Sequence, residues 1–488
     1  MRLLTGTIFA LTLTAQSGLA APATQAEADR LTDLFQTYLG ELPGAVTVTP
    51  QGESYALSVD PNAYVSLIPE DDIADFLNSI EVDAFDMLLT DLGDGKWRVT
   101  EDESWRLAFE IADIMDFSVT MDRVVFDGIW DQDLLAFQSF TSSIDGLTTA
   151  NRMVGPDGEV MQDDMQSYAS IRYAGTSQRG ANGGVDANYS SEVSGMRQTT
   201  LVQEFGEPIS IVISAEKYAT DSTTTGFQIA PLLAMVSQGV EVIESGEPNA
   251  QDLIALQEEA RGNLRDFLPI FENVEATFDL DNLAVETPFG GGSIDGMSGT
   301  IDVNGLVDDG KYNIALALSG LTVSSDVIPP FFEPLIPSDL SLDLRANRFN
   351  LNAPARTLID NFDFLTADVI DQMVLFQTIP QLLPTGLVGI DVGPSNVTAP
   401  AYTLDMEGGG TVGLTGMSQG TARFSLEGID RLIQAINAMP PEMSGQALGP
   451  LGLAQGLARQ GDAGALIWDI EFNMPGSLKV NGNEMMPQ

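Results

Sequence analysis

Apolar and polar residues alternate along much of this chain, and a period of two predicts β-strands with one buried and one solvated face. The alternation is clearest in residues 46–59, 85–99, 117–122, 276–281, 312–318, 340–344 and 468–474. Turn sequences at residues 50–53 (Pro-Gln-Gly-Glu) and 93–95 (Gly-Asp-Gly) predict β-hairpins within the first two stretches. Because acidic residues often occupy the polar positions, we expect antiparallel sheet with its charged face in water.

Fewer segments space their apolar residues as an α-helix does. The helical pattern is found in residues 26–38, 227–243, 249–267, 367–377 and 428–438. The second and third of these segments predict a central helical pair, separated by a Gly-Glu-Pro break at residues 246–248. Residues 175–195 are rich in Gly, Ser and Asn, which predicts an exposed loop or a mobile hairpin.

The order of these elements predicts an α+β protein. We expect mainly long antiparallel, curved β-sheet in two lobes, with the helical pair between them. The boundaries that follow are residues 1–20 for a signal peptide, 21–220 for an N-terminal β-rich lobe, 221–272 for the helical segment and 273–488 for a C-terminal β-rich lobe.

The first twenty residues have the pattern of a secretory signal peptide. Arg2 precedes a short apolar run at residues 3–13, and small residues at Gly18 and Ala20 predict cleavage after Ala20. We therefore expect a periplasmic or secreted protein. The later apolar segments are interrupted by prolines, so no stable transmembrane anchor is predicted.

The amino-acid composition excludes several kinds of metal site, active site and binding partner. The chain has 488 residues, 70 Asp and Glu, 21 Lys and Arg, no His and no Cys, and a net charge of −49. Without imidazole or thiolate groups, its own side chains cannot build zinc or copper sites, disulfides or His-dependent triads. So negative a chain is also unsuited to binding nucleic acid. We predict no metal site, no cofactor and no catalytic residue.

Three short motifs resemble catalytic or nucleotide-binding sequences but lack the required context. Residues 416–420 match G-x-S-x-G, yet a strand follows and no histidine exists, so we interpret them as a hairpin turn. Residues 214–217 match S-x-x-K within an alternating strand pattern, where positions i and i+3 face opposite ways. Residues 408–413 match G-x-G-x-x-G without a following helix, which favours a flexible strand connection.

One apolar connection is the candidate contact site. Residues 328–337 join two predicted strands and are rich in proline and aromatic residues. Such a loop can be a lid or tip that touches lipid or a partner, although a segment that closes the end of the core is the simpler interpretation. The candidate contact residues are Ile328, Phe331, Phe332, Leu335 and Ile336.

Several segments resemble a family of exported alphaproteobacterial proteins known only as a domain of unknown function. The resemblance is carried by the signal peptide and residues 50–57, 121–128, 468–471 and 480–482. It implies no functional residues. The Val-Asn-Gly strand endings at residues 303–305 and 480–482 also look like those of AsmA-type and YdgA-like envelope proteins. This second resemblance implies a long curved sheet with an apolar concave face, although the membrane anchor of those proteins is missing here.

These observations favour a non-enzymatic envelope protein that binds a hydrophobic ligand, such as a lipid, or an envelope protein partner. Two alternatives stay open. One is a carboxylate-based hydrolase of envelope glycans, since 70 acidic residues offer no way to choose a catalytic pair. The other is a purely structural or interaction protein. Nothing in the sequence indicates an oligomeric state.

Overall fold

The computed structural model describes residues 22–65, 78–112, 114–155, 157–204, 207–245, 250–325, 328–363, 370–413 and 416–486. The chain forms two compact units. Unit 1 consists of Met1–Glu272 and Asp363–Val369, and unit 2 consists of Asn273–Phe362 and Ile370–Gln488. The predicted signal peptide and the predicted break at residues 246–248 lie outside the described residues.

Unit 1 is an antiparallel meander in which nearly every strand pairs with its neighbours in the chain. Its strands are β1 (Val46–Gln51), β2 (Ser54–Val59), β3 (Ser79–Val82), β4 (Phe85–Gly93), β5 (Lys96–Ile111), β6 (Met115–Asp131), β7 (Ala136–Val154), β8 (Val160–Arg179), β9 (Val185–Glu204) and β10 (Glu207–Phe227). Its helices are α1 (Gln25–Leu39), α2 (Asn62–Val65), α3 (Ile229–Ser245) and α4 (Ala250–Phe267). The strand order is β1-β2-β4-β5-β6-β7-β8-β9-β10, and β3 pairs with β5.

The core of unit 1 lies where α1 packs on the first strands. Thr24 is the N-cap residue of α1. Its hydroxyl accepts a hydrogen bond from the Glu27 backbone N–H at 3.3 Å. Apolar residues at helical spacing on α1 meet alternating apolar residues of β1, β2, β4, β5 and β6. This core comprises Ala28, Leu31, Phe35, Ala45, Val46, Val48, Tyr55, Leu57, Leu89, Trp97, Val99 and Trp130.

Residues 175–195, predicted to be an exposed loop or a mobile hairpin, form the ends of the long strands β8 and β9. Only the tip is a turn, closed by a hydrogen bond from the Gly180 N–H to the Gly184 carbonyl at 2.8 Å. Small hydroxyl side chains hold the neighbouring strands together, as between Ser191 and Thr220 at 2.7 Å. The segment is thus regular hairpin, because strands on both sides supply hydrogen-bond partners that composition alone does not reveal.

Unit 2 has the same plan. Its strands are β11 (Asn273–Thr287), β12 (Gly290–Asn304), β13 (Gly310–Ser319), β14 (Thr322–Ser325), β15 (Asp339–Phe349), β16 (Leu387–Ala399), β17 (Tyr402–Gly413), β18 (Ser418–Glu427), β19 (Arg459–Gln460), β20 (Leu466–Met474), β21 (Ser477–Val480) and β22 (Asn483–Met486). Its helices are α5 (Asn352–Asn361), α6 (Gln372–Leu382), α7 (Ile429–Asn437) and α8 (Pro441–Leu457), with short 3-10 helices at Pro330–Leu335 and Asp462–Gly464. The main order is β11-β12-β13-β15-β16-β17-β18-β20-β21-β22.

The prediction of an α+β fold made mainly of antiparallel sheet is confirmed. The helix predicted at residues 367–377 corresponds to α6, which begins at Gln372. Residues 367–369 of that prediction lie outside the described residues. The Asp371 carboxylate fixes the start of α6 by accepting a hydrogen bond from the Met373 N–H at 2.7 Å. The helix α8 was not predicted. Among the described residues, no helix combines the length and the hydropathy needed to cross a membrane.

Candidate functional site

The strand register of unit 2 places apolar residues in continuous rows across the sheet. Residues paired directly across neighbouring strands project from the same face. One row contains Val274, Val303, Tyr312, Ala346, Ile390, Gly410, Gly420, Phe472 and Leu478. The next contains Ala276, Ile301, Ile314, Leu344, Val392, Gly408, Ala422, Ile470 and Val480. These rows, together with the other residues that project from the same side of these strands, define the apolar face, which crosses nine strands over about 38 Å at the usual strand spacing.

Much of the apolar face is open to solvent. Large side chains on it are 37–48% exposed, whereas Leu57 in the unit 1 core is 2% exposed. The exposed residues are Tyr312, Leu316, Leu340, Leu344, Ile390, Val412 and Met474. A monomeric soluble protein seldom leaves so continuous an apolar surface uncovered unless the surface binds something.

The opposite face of the sheet is here called the charged face. The residues that alternate with the apolar ones project from it, and they form ion pairs between neighbouring strands. Lys311 Nζ lies 2.7 Å from Asp302 Oδ1, and Arg423 Nε lies 2.6 Å from Asp469 Oδ1. A hydrogen bond from Arg423, together with one from Arg459, lowers the pKa of the Asp469 carboxyl. Water-facing pairs of this kind add little stability, but they keep this side of the sheet solvated. The unit 2 sheet is therefore amphipathic.

A shallow groove, here called the glycine trough, runs along the middle of the apolar face. Its floor is Gly408 and Gly410 on β17 and Ala422 on β18, where side chains are absent or small. Val392 on β16 and Ile470 on β20 stand on either side. The backbones of these two flanking strands are three strand spacings apart, about 14 Å. The trough thus offers a strip of apolar surface at backbone level.

Close packing explains why glycine occupies the trough. A β-carbon at Gly408 would lie 2.6 Å from the carbonyl oxygen of Thr421 on the next strand, so any larger residue would push the strands apart. At Gly420, which pairs with Gly410, a β-carbon would lie 2.8 Å from Cζ of Phe472. The aromatic ring therefore closes one side of the trough.

Within the described residues, helices cover the apolar face at the end formed by β18 and β20. Leu426 and Leu466, which pair across β18 and β20, are buried, and the neighbouring α7 contributes the buried residue Ile436. The Trp468 indole N–H donates a hydrogen bond to the Ala454 carbonyl of α8 at 2.8 Å, which fixes this helix against β20. The covered end anchors the helices, and the exposed residues belong to the remainder of the face.

The predicted contact loop is packed rather than protruding. Its residues form the 3-10 helix Pro330–Leu335, which contacts α7, and the Pro334 carbonyl accepts a hydrogen bond from the Ala401 N–H at 2.9 Å. The phenyl rings of Phe331 and Phe332 lie 4.8 Å apart. All five candidate residues are half-buried: Ile328, Phe331, Phe332, Leu335 and Ile336.

The three short motifs that resemble catalytic or nucleotide-binding sequences lie on strands or in the connection between two strands. Gly416 and Met417, the start of the G-x-S-x-G match, lie between β17 and β18, where the Gly413 N–H donates a hydrogen bond to the Met417 carbonyl at 2.7 Å, in agreement with a hairpin turn. Lys217 of the S-x-x-K match lies on β10 and pairs with Glu192 at 2.7 Å. The G-x-G-x-x-G match was interpreted wrongly as a flexible connection, because residues 408–413 are paired on both sides within β17.

The sequence left open whether the apolar face of the sheet is filled or open, and it did not reveal the glycine trough. The alternation that predicted β13, β15 and β20 implied that their apolar faces would be buried. A usable signal was present, since the period of two continues from Leu404 and Met406 into the glycines at 408 and 410.

Comparisons with known proteins identify no relative. No protein-family model matches the chain, and searches of curated proteins and of solved structures also find no match. The resemblance to exported alphaproteobacterial proteins and to AsmA-type envelope proteins therefore stays a prediction.

Proposed function

We propose that this chain is an exported, non-enzymatic envelope protein that binds the acyl chain of a lipid along the apolar face of unit 2. The observation that supports the proposal is the continuous apolar face with its seven exposed large side chains. Burying such a surface against a hydrocarbon chain is favourable because apolar area is removed from water.

An acyl chain suits this face better than a protein partner does. Apart from the Tyr312 hydroxyl, the two central rows contain no side chain that forms hydrogen bonds and no charge. Protein interfaces normally combine an apolar centre with polar groups and arginine, whereas a methylene chain needs only apolar contact. The glycine trough also has the shape that an extended chain requires, a strip without side chains between two branched walls.

The energetics are adequate for such binding. Removing about ten methylene groups from water contributes roughly 8 kcal/mol. The cost of association is roughly 4–15 kcal/mol, so binding is favourable where this cost lies toward the low end of that range. A zwitterionic or neutral lipid is the suitable class, because the net charge of −49 repels anionic headgroups.

The test compares two adjacent substitutions on opposite faces of β13. We expect Leu316→Glu to weaken binding of 1-palmitoyl lysophosphatidylcholine at least tenfold, because binding would bury an unpaired carboxylate. Ala317→Glu is the matched control, since Ala317 is on the charged face between Ser298 and Ser341. Displacement of N-phenyl-1-naphthylamine fluorescence measures both affinities. Both positions are exposed, so neither change should alter stability by more than about 0.5 kcal/mol.

Mass spectrometry of organic extracts adds an independent measurement on protein purified from the envelope. The proposal requires a co-purifying lipid or a wild-type response to the lysolipid. Equal affinities in Leu316→Glu and wild type would contradict it, as would the absence of lipid in both experiments.

A further inference from the structure

The charged face of unit 2 contains a second candidate binding site, whose lining also includes Gly410, Gly420 and Phe472 of the apolar rows. A depression of about 510 Å³ lies over the last strands of the sheet, within the usual size range for small-molecule sites. Two cross-strand rows build most of it. Its polar lining residues are Arg348, Asp391, Thr411, Gln419, Thr421, Glu471, Asn473, Ser477 and Lys479.

A buried hydroxyl without a partner lies in this depression. Thr411 is only 7% exposed, and its Oγ1 atom is buried with no hydrogen-bond partner. Buried hydroxyl groups are nearly always hydrogen-bonded, so this unsatisfied hydroxyl in the wall of a depression is a candidate partner for a ligand group.

Unpaired charges around the depression give an independent indication. Arg348, Glu471 and Lys479 form no ion pair with any described residue, even though Glu471 and Lys479 are cross-strand neighbours. Elsewhere on this face the cations are paired, as Lys311 and Arg345 are. These unpaired groups leave hydrogen-bond donors and acceptors beside the depression that a ligand can use.

We propose that this depression binds an uncharged saccharide. A sugar hydroxyl both donates and accepts hydrogen bonds, and the lining supplies both kinds of partner. Asp391 and Glu471 accept, Arg348 and Lys479 donate, and the Thr411 hydroxyl does either. The two formal positive charges balance the two negative ones, so the depression has no net charge to select an ion.

The spacing of the two carboxylates favours binding over hydrolysis. Asp391 and Glu471 belong to one cross-strand row but are separated by β17 and β18, so their backbones are about 14 Å apart. The acid pairs of glycosidases lie about 5–9.5 Å apart. Each side chain would have to lean toward the other to form such a pair, so the register favours binding over hydrolysis.

Saturation-transfer NMR and calorimetry with maltotriose, cellotriose and N,N′-diacetylchitobiose test the proposal on the full chain. We expect at least one of these sugars to bind. Thr411→Val should weaken that binding about tenfold through loss of one hydrogen bond. The melting temperature should not fall, because the removed hydroxyl has no partner within the protein. Thr300→Val, on the same face but outside the depression, is the matched control.

A variant on the apolar face and a comparison with phosphate-containing ligands distinguish sugar binding from lipid binding and from anion binding. Leu316→Glu, on the apolar face, should leave sugar binding unchanged, so the saccharide site and the lipid surface can fail independently. The proposal is overturned if none of the three sugars binds wild type or if Thr411→Val binds as wild type does. Binding of inorganic phosphate or phosphoethanolamine in preference to the sugars would also overturn it.

Discussion

Replacing Trp97 with alanine should lower the free energy of unfolding of unit 1 by about 3–5 kcal/mol, the range measured for truncating large buried aromatic residues. Trp97 is 2% exposed and belongs to the core between α1 and the first strands. Its ring lies 6.1 Å from that of Tyr55. Truncation would remove the contacts of the indole and leave a cavity that the sheet cannot close without bending.

Urea unfolding, followed by circular dichroism through the transition of unit 1, measures this loss. Trp97→Phe should cost much less, roughly 1–2 kcal/mol, because the indole nitrogen has no hydrogen-bond partner to lose. Leu92→Ala is the matched control, since Leu92 is 49% exposed and its truncation should be nearly neutral. A Trp97→Ala loss below about 1 kcal/mol would show that this core does not hold the unit together.

Unit 1 should become less stable as the pH rises from about 4.5 to 7, because Glu101 holds its proton in the folded state. Burial raises the pKa of the Glu101 carboxyl to about 7, and the charge of Glu103 adds to the effect. Glu101 pairs with Phe126 across the strands, so it lies among apolar neighbours. The unfolded chain releases this proton near pH 4.5 and the folded chain near pH 7. Across that window the folded state binds more protons, and its stability falls by as much as about 3 kcal/mol.

Urea unfolding at pH 5 and pH 8 tests this prediction. Glu101→Gln should raise the stability at pH 8 and reduce the difference between the two pH values. Part of the dependence should remain, because burial also raises the pKa of Glu103, beside Asp86 and Asp83. The exposed Glu53→Gln is the control for the general effect of removing one negative charge. An unchanged pH profile in Glu101→Gln would mean that this carboxyl ionises normally.

Strands whose two faces differ in polarity could be predicted from the sequence. The hairpin at residues 46–59 folds as expected, with Tyr55 and Leu57 facing the core. The long strands from β7 to β10 could not be delimited in this way, because Ser, Thr and Gln occupy both of their faces. Only neighbouring strands on each side stabilise such sequences as sheet. The helix α8 was missed because four glycines, a poor helix-forming residue, hide its pattern.

The candidate sites depend on information that a single sequence does not contain. The proximity of Gly408 to Val392 and Ile470 follows from the hydrogen-bond register, and a slip of one residue would turn each strand over. Composition drew attention to Phe331 and Phe332, but it could not show that α7 packs against the 3-10 helix that carries them. The sequence does not distinguish Thr411 from the other threonines, because only the fold shows that its side chain is buried.

The sequential antiparallel order of unit 2 also bears on how such a protein changes through evolution. Each hairpin pairs mainly with its neighbours in the chain, so gain or loss of one hairpin at an edge leaves the other strands in register. Two strands would lengthen or shorten the apolar face by about 10 Å. Duplication of hairpins is thus a simple genetic route to relatives with a wider or narrower apolar face.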